Sequence, residues 1–151
     1  MVTLVLGVLD VAYSDSQLGG KTSSTTTGEV AEILEKRYAV MQSYFDLHKG
    51  EIADDLANGM AASLQDLING RTATGSPFYG AEQKIEAGFR RFLDANEMQK
   101  LSLALTGTPI SAAAQAGVSH RKKRPYAKRA GRSAFVDTGL YRSSFRATVK
   151  K

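Results

Sequence analysis

The feature that most restricts the fold is the return of apolar residues at three- and four-residue intervals through residues 30–68. Val30, Ile33, Leu34, Tyr38, Met41, Tyr44 and Phe45 lie on one stripe, while Glu32, Glu35, Lys36 and Gln42 lie away from it. That spacing is the signature of an amphipathic helix. Thr26-Thr27-Gly28-Glu29 supplies the start, a capping box in which a Thr hydroxyl serves the orphan N–H groups and Glu29 reaches back. Gly50 marks a break or a kink, after which Ile52, Leu56, Met60, Leu64, Leu67 and Ile68 carry a second amphipathic helix. It stops at Asn69-Gly70, a natural left-handed C-cap. The expectation is a long helix pair, bent or folded as a hairpin.

Further helices follow. Residues 71–80 hold Gly75, Ser76, Pro77 and Gly80 around Phe78 and Tyr79, which predicts a loop whose two aromatics either pack on the body or serve a contact. Ile85, Phe89, Phe92 and Leu93 predict a third helix, and Met98, Leu101 and Leu105 extend it or begin a short fourth one. Thr108-Pro109 restarts a helix running to Gly117, with a capping hydroxyl followed by proline at the first position. Upstream, residues 1–13 are rich in Val and Leu and predict a strand, and residues 14–28 a Ser, Thr and Gly loop. The opening apolar run lacks a basic flank and is far below the roughly 20 residues of a membrane span.

With 151 residues there is enough chain for a single domain with a real core, and 42% apolar with 23% charged residues argues against disorder throughout. Zero cysteines exclude disulfides and thiolate metal sites, and two histidines, His48 and His120, leave little for a transition-metal centre. The expected cofactor complement is none.

Charge divides the chain. From residue 120 onward there are eleven Lys or Arg and one acid, Asp137, whereas residues 1–119 carry nine bases and fourteen acids. The reading is an acidic helical body over residues 1–119 with a basic C-terminal arm over residues 120–151, together one domain. Arg121, Lys122, Lys123, Arg124, Lys128, Arg129 and Arg132 beside Tyr126 are the candidate contacts. Cations beside an aromatic suit phosphate contact plus base stacking, and they equally suit docking on an acidic protein. No helix-turn-helix or zinc-finger spacing accompanies them.

Other constellations are weaker. Leu18-Gly19-Gly20-Lys21-Thr22-Ser23 resembles the end of a phosphate-binding loop, but Asp15 stands where the first glycine is required and its carboxylate repels phosphate. Asp54 and Asp55 with Glu51 form an acidic patch read as a solvated face, because adjacent helical residues point apart. His48 is read as a helix-end residue serving carbonyl groups. Nothing here argues for an enzyme.

The segment Phe135-Val136-Asp137-Thr138-Gly139-Leu140-Tyr141-Arg142-Ser143-Ser144-Phe145 resembles the hydrophobic-x-Asp-Thr-Gly-x-Leu-x-x-Ser-hydrophobic signature of tail-completion and neck (head–tail connector) proteins of tailed bacteriophages. It departs from that pattern at Leu140, where a basic residue is usual, and at Tyr141, which replaces the Leu. The chain also ends six residues after Phe145, where further strands commonly follow. The resemblance implies a structural virion protein made in the host cytoplasm and residing in the neck or tail. It implies a homo-oligomeric ring that contacts neighbouring phage neck or tail proteins and can reach packaged DNA, with no membrane. Asp137, Thr138 and Gly139 are then a structural turn, with an Asp or Thr side chain capping the short helix after it. The fold class expected is α+β, a predominantly helical body with a small sheet to which the N-terminal strand and the C-terminal segment contribute. The alternative is a small basic nucleic-acid-binding protein using the arm.

Overall fold

A computed structural model describes residues 2–13, 25–72, 75–107, 109, 135 and 139–150. Its described elements are β1 (Thr3–Val8), α1 (Thr27–Tyr38), α2 (Val40–Ile68), α3 (Tyr79–Asp94), α4 (Glu97–Thr106), α5 (Leu140–Ser144) and β2 (Phe145–Lys150). The architecture is α+β and mostly helical, with one antiparallel pair of strands from the two ends of the chain. Register runs from Thr3 opposite Lys150 to Val8 opposite Phe145. Alternation along β1 turns Leu4, Leu6 and Val8 toward the core and leaves Val5 exposed.

The capping box forms as expected: the Glu29 N–H donates to the Thr26 hydroxyl at 3.3 Å, and the Thr26 N–H donates to the Glu29 carboxylate at 3.1 Å. The helix pair breaks elsewhere than expected. Ala39, at φ 49°, separates α1 from α2, and α2 continues through Gly50 for 29 residues. A left-handed alanine costs roughly 1–2 kcal/mol. The Glu35 carboxylate offsets that cost by accepting from the Met41 N–H at 2.8 Å and the Gln42 N–H at 3.1 Å, so the last turn of α1 caps the first turn of α2. Gly50 merely weakens a helix interior, by about 0.5–1 kcal/mol relative to alanine.

The core is aromatic. Ile85, Phe89, Phe92 and Leu93 line one face of α3, none more than 2% exposed, and meet Tyr44, Ile52, Met98, Tyr141 and Phe145. Phe89 and Phe145 stack at 3.8 Å between ring centroids, while Tyr44 meets Phe89 edge-on at 5.3 Å. The Tyr44 hydroxyl donates to the Ile85 carbonyl at 2.9 Å. Burial, then the charge of Glu51, pushes its pKa up to about 12, so it remains a neutral donor. Phe78 is buried at 4% exposure whereas Tyr79 is 64% exposed, which separates the fates of the two loop aromatics. Gly59 makes the Phe78 loop possible: a Cβ there meets the Pro77 carbonyl oxygen at 2.6 Å.

Thr27 joins strand to helix. Its side chain is fully buried, donates to the Leu9 carbonyl at 2.5 Å and accepts from the Val11 N–H at 2.8 Å. Beside it, Asp10 is held below the usual carboxylate range by the Thr26 side chain and then by the Gly28 N–H, which donates to it at 2.9 Å. A depressed carboxylate stabilises the fold above its unfolded value and stops doing so as pH falls through its folded value. At pH 7 the parent therefore melts above an Asp10→Asn variant, and the gap closes as pH falls below the ordinary value of 3.8. Parallel melting curves for the two proteins from pH 7 to pH 2.5 contradict the assignment.

Candidate assembly surface

The described residues of the basic arm, Phe135 and residues 139–150, pack on the body. On one side of the basic run stands α4, with Met98 fully buried; on the other stands Phe135, 8% exposed, whose ring meets Tyr38 edge-on at 5.3 Å. Beyond it, Gly139 opens α5 at φ 81°, a backbone geometry that favours glycine, and its carbonyl accepts from the Ser143 N–H at 3.0 Å. Tyr141 and Phe145 then enter the core. Burial, then Glu35 and Tyr13, raises the Tyr141 phenol pKa and keeps it neutral. The core thus draws on residues from both sides of position 120.

Two carboxylates on α3 hold the outer edge of β2. Glu82 accepts from the Val149 N–H at 2.8 Å, and Glu86 accepts from the Ala147 N–H at 3.3 Å. These bonds satisfy strand donors that a two-stranded sheet leaves unpaired. Glu86 also lies 3.2 Å from Arg90 and 3.7 Å from Arg146, so a nearly buried acid is surrounded by cations and an amide. Arg142 reaches Asp94 at 3.0 Å. Among the described residues of the arm, Arg142 and Arg146 are therefore paired to the body's acids. Sequence reasoning missed Glu82 and Glu86, although their i, i+4 spacing beside the Ile85 and Phe89 stripe was a visible signal.

The acidic patch on α2 separates into different roles. Asp55 pairs with Lys84 at 2.7 Å and ties α2 to α3, while Asp54 is exposed. His48 is not at a helix end, because α2 runs through Gly50; its ring lies 5.0 Å from Tyr44, 3.4 Å from Glu51 and 3.8 Å from Glu97. Tyr44, His48, Asp55, Lys84, Gly88 and Arg91 border an open cavity of about 270 Å³. Asp55 and Lys84 there are tied to each other in a structural link, Glu51 lines it as well, and among the described residues no group of three or more His, Asp or Glu side chains is placed to hold a metal ion.

No family model, no curated protein and no solved structure matches this chain. Arg121, Lys122, Lys123, Arg124, Tyr126, Lys128, Arg129, Arg132, Asp137 and Thr138 lie outside the described residues, as do the Gly20-Lys21 segment and the helix expected up to Gly117. None of the helices formed by described residues is long and apolar enough to cross a membrane.

The surface that remains is apolar in places. Met60, Leu64, Leu67 and Ile68 on α2 are 48–78% exposed, and nearer the α1–α2 junction Ile33, Phe45 and Leu47 are each 37–59% exposed. Exposed apolar residues that share one helix face, as Met60, Leu64 and Leu67 do by their spacing, mark contact with another macromolecule.

Proposed function

We propose that this chain is a structural protein of a tailed-bacteriophage virion, a ring-forming neck or tail-completion component at the head–tail connection. The observation that carries the reading is the signature over residues 135–145. Its described residues Phe135, Tyr141 and Phe145 are anchored in the core, and its Gly139 sits at the positive φ a turn glycine serves. The strongly basic run just before the signature is thereby followed by anchored chain. Supporting it, exposed Ile33, Phe45 and Leu47 near the α1–α2 junction supply subunit contacts, and closing a ring by identical head-to-tail contacts needs no catalytic group.

Quantitative mass spectrometry of purified particles tests the proposal. The chain is expected at a fixed copy number per particle, retained through high-salt washing. Its absence from infectious particles, together with salt-sensitive binding of DNA by the free subunit, favours the nucleic-acid-binding alternative instead.

A further inference from the structure

The C-terminal half of α2 carries a seam that the described part of the body leaves uncovered. Ala53, Ala57, Met60, Leu64 and Leu67 are all exposed and follow one another at intervals of four, three, four and three. This is the spacing of a helix that packs lengthwise on another helix. The body-facing stripe is a different one, carried by Ile52 and Leu56 and by the close approach of Pro77 to Gly59.

Size and charge along the seam indicate what covers it. Small residues, Ala53 and Ala57, occupy one end and large ones, Leu64 and Leu67, the other, and no charged side chain lies between Leu56 and Gln65. Asp54 flanks the small end. At the large end stands Arg71, whose guanidinium is 74% exposed and reaches Asp66 at a loose 3.4 Å. Two copies laid parallel place alanine on alanine and Arg71 beside Arg71. Laid antiparallel, Ala57 of each copy faces Leu67 of the other, Met60 faces Leu64, and Asp54 stands near Arg71 at both ends. The second arrangement interdigitates large with small and pairs opposite charges.

We propose that α2 docks antiparallel on α2 of a second copy of this chain, through Ala57, Met60, Leu64 and Leu67. The contact is isologous, with a two-fold axis passing between Met60 and Leu64, and is separate from the head-to-tail contacts that close a ring. It goes beyond the virion reading and does not depend on it.

The absence of cysteine makes the test direct. Single variants Ala57→Cys and Leu67→Cys are purified and oxidised separately and as an equimolar mixture. Within one chain these positions are about 15 Å apart along the helix, beyond disulfide reach. Cross-linked dimer is expected in the mixture and only in trace amounts from either variant alone. Absence of cross-linking in the mixture, or efficient cross-linking of either variant with itself, overturns the arrangement. Sedimentation gives the second arm: the parent is expected as a dimer and Leu64→Glu as a monomer with unchanged circular dichroism. Because Leu64 is 58% exposed, the variant keeps its fold. A parent that remains monomeric overturns the dimer and leaves the particle measurement untouched, so failure here and failure of the virion reading are distinguishable.

Discussion

Phe145→Ala is expected to destabilise the protein by about 3–5 kcal/mol, the range for emptying a buried aromatic site. Phe145 has no exposed surface, stacks on Phe89 at 3.8 Å and lies edge-on to Tyr44 at 6.4 Å. It is also the first residue of β2, paired with Val8 across the sheet. The substitution therefore empties the centre of the core and loosens the strand that joins the two chain ends. Against a typical domain stability of about 5–15 kcal/mol, such a loss is a large fraction of the whole. The melting temperature should fall by roughly 10 °C. Phe145→Leu should recover part of it, and Ile33→Ala, at a 59% exposed position, should stay within about 0.5 kcal/mol of the parent. Thermal melts of the three variants check this order; a Phe145→Ala protein that melts with the parent refutes the core assignment. For the same reason, removing residues 120–151 takes away Phe135, Tyr141, Phe145 and Ala147 as well as the basic run. Charge reversal is the cleaner probe of the arm.

Reversing Arg121, Lys122, Lys123 and Arg124 to glutamate is the second large effect. Four cations become four anions in a stretch whose only nearby acid is Asp137. Docking on an acidic surface or on phosphate then meets repulsion where it had attraction. The expected loss of particle-forming activity, in a host lacking the intact copy, is roughly a hundredfold or more. Asp94, Glu82 and Glu86 already hold the C-terminal segment on the body through bonds that do not involve these four residues, so the melting temperature should stay near that of the parent. Normal infectivity of the reversed variant removes the arm from the assembly account and leaves the exposed faces of α1 and α2 as the contact surface.

Much of the fold was legible because its signals are local. The capping box at Thr26, the α3 stripe of Ile85, Phe89, Phe92 and Leu93, and the left-handed stop at Gly70, φ 71°, each follow from a few neighbouring residues. The break between α1 and α2 was misplaced at Gly50 because the deciding interaction is a carboxylate folding back. Glu35 bonds amides six and seven residues further on, and nothing about Ala39 itself announces a left-handed residue. The amphipathic reading of residues 30–68 was right in period and incomplete in meaning. Tyr38 and Tyr44 are buried, yet Ile33, Met60, Leu64 and Leu67 on the same pattern face outward. Periodicity identifies an apolar face without saying whether this chain or another one covers it. Long-range polar links were the least legible part: Thr27 with Leu9 and Val11, and Glu82 and Glu86 with β2, join residues up to 67 positions apart. The basic arm was conspicuous from composition alone, because charge clustering needs no knowledge of packing.

Cryo-electron microscopy of the neck and tail ends of purified particles tests the central claim most directly. The account predicts a closed ring of copies of this chain between capsid and tail, with residues 139–150 built into each subunit's core and the run from Arg121 to Arg132 at a contact with DNA or a neighbouring ring. Neck and tail density accounted for entirely by other chains contradicts it.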